Sequence, residues 1–217
     1  MHAQTALVLF CVAALAAAES RNLPLDNLKL INHKAETVTY RGRQAVRLTE
    51  TNGGANEIPA LLRGTQFRDG VIEVDVAGEP GAGAGASARG FVGIAFRSAS
   101  DASKFECFYL RPTNGRADDQ LRRNHSVQYI SVPGFPWEKL RKETPGLYES
   151  YADLVPGEWT KVKIDVRGVK AKLFVNGAPQ PVLLVNDLKQ GQSNGAIGLW
   201  IGPETIAHFA NLRVTVD

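Results

Sequence analysis

Arginine, carboxylate and aromatic side chains crowd one stretch of the chain. It runs Arg111-Pro-Thr-Asn-Gly-Arg-Ala-Asp-Asp-Gln-Leu-Arg-Arg-Asn-His125 and continues through Tyr129, Phe135-Pro136-Trp137, Arg141, Tyr148-Glu149 and Tyr151. These residue types suit a sugar: rings such as Tyr129 and Trp137 stack on its apolar faces, while planar polar groups such as Arg122 take its hydroxyls. A surface segment pinned by Arg–Asp pairs and buried rings would use the same composition. A second constellation lies upstream, where Phe91 to Arg97 alternates. There Gly93, Ala95 and Arg97 share a face, which leaves room above a sheet beside a guanidinium able to make bidentate bonds. Glu106 alternates away from Phe105 and Cys107. If those two face the core, Glu106 faces the Arg97 side, as a site residue or simply as a cross-strand salt bridge.

Acid–base cleavage of a glycoside needs two acidic groups flanking the bond. Glu106, Asp118, Asp119, Glu138 and Glu149 are the candidates, and sequence does not measure their separation. His125, with Asp118 and Asp119 just upstream, is the one histidine placed for acid–base or metal work, against the plainer reading of a solvated loop imidazole. Neither His33 nor His208 stands at zinc-ligand spacing from another His or Cys. Loop carboxylates are oxygen donors of the kind calcium takes, but no ligand pattern stands out, and no cofactor is predicted. A Gly-x-Ser-x-Gly elbow and a phosphate-binding loop are both missing from the sequence. Asn124-His125-Ser126 reads as a glycosylation sequon in an organism that glycosylates. The expected site is therefore one concavity, with Glu106 and His125 as catalytic candidates. Arg97 and Arg122 would hold ligand, and Tyr129, Trp137 and Trp200 would form walls.

Short alternating runs punctuated by Gly, Pro and Asn must position these residues, which is an all-β pattern. Thr37–Tyr40 and Ala45–Leu48 flank Arg41-Gly42-Arg43 as a hairpin, and Gly70–Val76 puts Ile72, Val74 and Val76 on one face. Further strands are expected over 91–97, 104–111, 160–166, 171–175, 195–201 and 207–216. Val175-Asn176-Gly177-Ala178 supplies the Asn-Gly turn signal. Gly78–Gly90 reads as a flexible hairpin loop. Its glycines loosely mimic a dinucleotide-binding pattern, but a strand follows where that motif requires a helix. No helical periodicity is sustained and no repeat appears. Two antiparallel sheets packed face to face as a jelly roll follow, with Pro112–Trp159 as one long insertion loop.

The N-terminus reads as an address. Ala6–Ala14 is almost wholly apolar, and Ala16-Ala17-Ala18 offers the small residues of a cleavage site, so residues 1–18 are expected to be a signal peptide. The run is too short to span a bilayer as a helix. A periplasmic or secreted single domain over 19–217 is expected, without a membrane span after cleavage. The net charge of +3 is too mild for a nucleic-acid stripe. Cys107 alone survives processing, so it should be a packed, inert thiol.

Gly93-Ile94-Ala95-Phe96-Arg97, Phe105-Glu106, Gly157-Glu158-Trp159, Val175-Asn176-Gly177, Gly195–Trp200 and Phe209-Ala210-Asn211-Leu212 together resemble the 3-keto-disaccharide hydrolase-like domains. These fall within the concanavalin A-like lectin/glucanase and laminin-G-like superfamily. The resemblance spans about residues 23–217 and implies a jelly roll with Arg97 and Glu106 lining its concave site. Trp200 departs from the Gln those domains tend to carry, and the 111–159 insertion replaces a shorter segment. Glu73-Val74-Asp75 resembles the acidic strand of laminarinase-like glucanases, but the further Glu expected after Asp75 is missing. Three readings follow: an extracytoplasmic glycan-processing enzyme that would hydrolyse a (3-keto-)glycoside; a non-catalytic carbohydrate-binding module; and a structural or adhesive domain.

Overall fold

The computed structural model describes residues 19–22, 24, 25, 27–51 and 58–217; the apolar run Ala6–Ala14 and the cut after Ala18 lie outside them. β1 (Glu19–Asn22), β2 (Leu28–Lys29), β3 (His33–Tyr40), β4 (Arg43–Glu50) and β5 (Ala60–Leu62) open the chain. The β3–β4 turn needs only Arg41 and Gly42, both at positive φ (43° and 77°), the geometry of a tight hairpin. β6 (Gly70–Pro80), β7 (Val92–Ser98) and β8 (Phe105–Leu110) carry the alternating runs. After them come α1 (Gln120–Asn124), β9 (Val127–Val132), α2 (Trp137–Glu143) and β10 (Glu149–Ser150). β11 (Thr160–Arg167), β12 (Lys170–Val175), β13 (Leu183–Val185), β14 (Ala196–Ile201) and β15 (Thr205–Val216) complete the fold.

Two antiparallel sheets result, a jelly-roll sandwich. The back sheet runs β13-β12-β11-β6-β15-β4-β3, with β1 added on β15, and the front sheet runs β10-β9-β8-β7-β14-β5-β2. Between them lie Ile72, Val74 and Val76 of β6, facing Ile94 and Phe96 of β7, Phe108 of β8 and Leu199 of β14. All seven are at most 1% exposed, so each contributes the full transfer free energy of its side chain, about 1.5–3 kcal/mol. A second, smaller apolar layer covers the other face of the front sheet: Ala95, Phe105, Cys107, Tyr109, Ile130 and Trp200, with Phe91, Val132 and Trp137 packed on it.

The 112–159 segment is not one loop. β9 pairs with β8 along its whole length and β10 pairs with β9, so the segment supplies two strands of the front sheet as well as both helices. Gly78 belongs to β6 rather than to a flexible loop, because a Cβ there would run into the Gly90 carbonyl oxygen. Among the described residues no helix is long and apolar enough to cross a membrane.

Candidate functional site

Strand alternation places the predicted site residues on two different sides of the front sheet. Ala95 pairs with Cys107 and Gly93 with Tyr109, whereas Phe96 pairs with Glu106. Phe105, Cys107 and Tyr109 therefore face outward, and Glu106 faces inward with Phe96 and Phe108, the reverse of the expected phase. Cys107 is buried, as expected, but in the outer layer. Arg97 does not follow Gly93 and Ala95. A bulge sets Phe96 and Arg97 of β7 opposite Ile197 alone in β14, and the Arg97 φ of 52° turns the chain.

Arg97 consequently reaches between the sheets, with its side chain 0% exposed. Nε donates to the Arg68 carbonyl (2.8 Å) and Nη1 to that of Gly191 (2.7 Å). Nη2 donates to the Gly168 carbonyl (2.7 Å) and to Asp69 Oδ1 (3.0 Å). That is a clamp across one end of the sandwich. Glu106, also 0% exposed, accepts from the Tyr129 hydroxyl (2.5 Å) and the Gln190 backbone N–H (2.7 Å). Burial pushes its carboxyl above the usual range, with the Tyr129 and Gln190 hydrogen bonds opposing. Tyr129 also accepts from the Lys189 N–H (2.9 Å), and its phenol is pushed up, chiefly by burial. These three residues fasten the 189–191 loop and form no wall of a cavity; the expected convergence of Arg97 and Glu106 with Trp137 does not occur.

A cavity of about 540 Å³ lies on the other face. Its floor is the Tyr109–Trp200 stack, ring centroids 4.5 Å apart. Gly93 sits opposite both rings, and a Cβ there would strike the Phe108 carbonyl and Tyr109 Cβ. The room left by small residues is thus already filled. Trp200 is 1% exposed, so it supports the floor instead of presenting a ring as a wall. Arg111 continues the outward alternation beyond Tyr109. Its guanidinium donates to the Tyr109 hydroxyl (2.7 Å), the His125 carbonyl (3.0 Å) and Gln128 Oε1 (3.2 Å). It also lies 5.5 Å from the Trp137 ring centre.

The insertion forms the remaining sides. Asp119 caps α1 by accepting from the Arg122 N–H (2.6 Å). Arg122 then donates to Asn114 Oδ1 (2.9 Å) and Thr113 Oγ1 (3.2 Å). His125 Nε2 lies 3.2 Å from Oε1 of the buried Glu149, whose Oε2 takes Arg141 Nη2 at 2.7 Å. The Arg141 guanidinium covers half-buried Trp137 at 4.5 Å. Burial holds the His125 imidazole below its ordinary value; Glu149 opposes this, and Arg141 and Arg111 reinforce it. Arg122, His125 and Trp137 are thereby brought together with Arg111 and Arg141 of the same stretch, which were not assigned to the site, and with Arg89, Tyr109 and Glu204, which the sequence reading missed. The missed signal was the period-2 series Cys107, Tyr109, Arg111. Among the described residues no group of three or more His, Cys, Asp or Glu side chains gathers to hold a metal ion.

Pockets that combine apolar walls with a few convergent polar groups are the usual form of small-ligand sites. This one can stack a ring-shaped polar ligand and take its oxygens with guanidinium and imidazole donors. No family model matches the chain, and no curated protein matches it in sequence. Solved structures share its fold. A carbohydrate-binding module from Bacillus subtilis is 14% identical with a TM-score of 0.56, covering 87% of this chain and 95% of its own. A Bacillus subtilis protein of unknown function with a galectin-like fold is 13% identical, TM-score 0.52, covering 84% and 87%. A glycosyl hydrolase candidate from Parabacteroides distasonis ATCC 8503 is 10% identical, TM-score 0.50, covering 89% of each chain. At these identities the likeness establishes the jelly-roll sandwich and nothing finer.

Proposed function

We propose that the protein is an exported carbohydrate-binding module whose ligand enters the cavity on the outer face of the front sheet. One observation carries this reading. Half-buried Trp137 and Phe91 stand beside Arg111, Arg122 and His125 around about 540 Å³ of space, on a rigid aromatic floor. Sugars are held in this way, by ring stacking with planar donors at the edges. The shared architecture with a carbohydrate-binding module supports it, as does the apolar leader-like run at residues 6–14.

Binding is favoured over hydrolysis by where the carboxylates are. Glu106 is sealed inside the sandwich, and Glu149 is committed to Arg141 and His125. Asp119 and Glu204 line the cavity but each spends an oxygen on a backbone N–H, of Arg122 and Gly85 respectively. The His125–Glu149 contact favours a second reading, an enzyme with a neutral imidazole as base oriented by a carboxylate. A glycan array run beside a hydrolysis screen that includes oxidised disaccharides separates the two. Trp137→Ala should weaken binding of the best array ligand by about 1–3 kcal/mol, the scale of one aromatic contact. Turnover abolished by His125→Gln with binding retained would move the assignment to the enzyme, and unchanged affinity in Trp137→Ala would remove the site.

A further inference from the structure

The arginines around the cavity are not distributed as a neutral-sugar site requires. Arg89 Nη1 donates to the Ala86 and Ala88 carbonyls (2.6 and 2.9 Å), and Arg122 donates to Asn114 and Thr113. All four acceptors are uncharged, and among the described residues neither guanidinium forms an ion pair. Arg111 lies on the floor of the same cavity. Of Arg89, Arg122 and Arg141, which all line the cavity, only Arg141 is committed to a carboxylate among the described residues, that of Glu149. The two acidic residues that line the space, Asp119 and Glu204, are exposed residues at its rim. Burial, then the charges of Arg122 and Arg111, hold the Arg89 guanidinium below its usual value, so these groups repel one another across the cavity. Like charges gathered around a partly desolvated space are stabilised by an anion placed among them.

We propose that the cavity selects an acidic glycan, with a uronate carboxylate seated between Arg89 and Arg122 and its pyranose ring against Trp137. This deepens the carbohydrate-binding reading and rests on it. A carboxylate is planar and matches the guanidinium fork with paired hydrogen bonds. The ring is what brings Trp137 and Phe91 into use, since a bare anion would touch neither.

The test is calorimetric titration of the whole protein with trigalacturonate, triglucuronate and trimannuronate, each beside its carboxyl-reduced, neutral counterpart. Free acetate, inorganic phosphate and a sulfated neutral trisaccharide form separate arms. At least one uronate trimer should bind roughly 10–100-fold tighter than its reduced form, the range of hydrogen bonds to a charged group. Arg122→Gln, with Arg89→Gln as a second variant, should abolish most of that preference. Arg116→Gln, which breaks the exposed pair with Asp153, should leave it intact. Thermal melts identify any variant that fails to fold. Equal binding of the reduced trimers overturns the acidic selectivity and leaves the carbohydrate reading standing. Tighter binding of the sulfated trisaccharide overturns the uronate assignment. Binding of acetate or phosphate as tight as any trimer, or no binding of any saccharide, overturns both.

Discussion

Two arginine-centred regions of this molecule lie on opposite faces of one sheet. Inside the sandwich, Arg97 directs four N–H bonds at three backbone carbonyls and Asp69, and Glu106 is met by Tyr129 and Gln190. On the outer face Arg89, Arg111 and Arg122 surround a cavity, and among the described residues the bonds of Arg89 and Arg122 go to neutral acceptors only. In the first region Arg97 and Glu106 are buried and met by hydrogen-bonding partners; the second holds like charges beside open volume. Buried charges of the first kind hold a fold together, because removing one partner strands the others without water. Charges of the second kind cost stability until something fills the space. Residue type alone does not separate the two; what separates them is where the opposite charge sits.

The comparison can be broken most severely at Arg97. Arg97→Ala would strand the carbonyls of Arg68, Gly168 and Gly191 and should destabilise the fold by about 3–5 kcal/mol in urea unfolding. A loss below 1 kcal/mol would mean that the clamp is not structural. Glu106→Gln should be milder, about 1–3 kcal/mol, since one acceptor survives for Gln190. It should leave ligand affinity unchanged. Loss of affinity in a folded Glu106→Gln protein would tie the inner network to the site after all.

A smaller effect sharpens the contrast from the back sheet. His208 stacks on Tyr40 with ring centroids 3.6 Å apart, and burial, then Arg47, lowers its pKa from 6.5 to about 4. A histidine whose folded pKa is depressed contributes fully above its unfolded pKa. That contribution is lost as pH falls from about 6.5 towards 4, with no further loss below. The expected decline is about 1–2 kcal/mol after allowing for solvent near the ring. His208→Phe keeps the stack and should flatten the profile, leaving what His33 and His125, also lowered, contribute. An unchanged profile in that variant would assign the acid sensitivity elsewhere.

Much of the sandwich was legible in the sequence because half-buried strands advertise a period of two. Ile72, Val74 and Val76 share a face as read, and the hairpin read around Arg41-Gly42-Arg43 turns at Arg41-Gly42, with Arg43 already in β4. β9 escaped because Val127-Gln-Tyr-Ile-Ser-Val132 is buried on both faces, with Gln128 bonded to the Tyr129 and Tyr148 carbonyls, so no alternation marks it. The expected site fails first at Arg97. A bulge moves everything beyond it to the opposite face, and nothing in Phe96-Arg97-Ser98 signals the positive φ, a conformation usually given to Gly or Asn. Glu106 was assigned from the phase of Cys107, which is buried in the outer layer instead of between the sheets. Apolar burial on both faces of the front sheet hid which face was which.

The chain has three tryptophans, and their placement makes one measurement decisive. Trp137 flanks the cavity, Trp200 lies beneath it, and Trp159 sits on the back sheet's side, edge-on to Tyr40 at 5.6 Å. Titration of the isotope-labelled protein with its best-binding oligosaccharide, followed at the indole N–H resonances, tests whether the outer face is the binding face. The expected result is a large shift of Trp137, a smaller one of Trp200 and none of Trp159. A shift of Trp159 with Trp137 unmoved would contradict it.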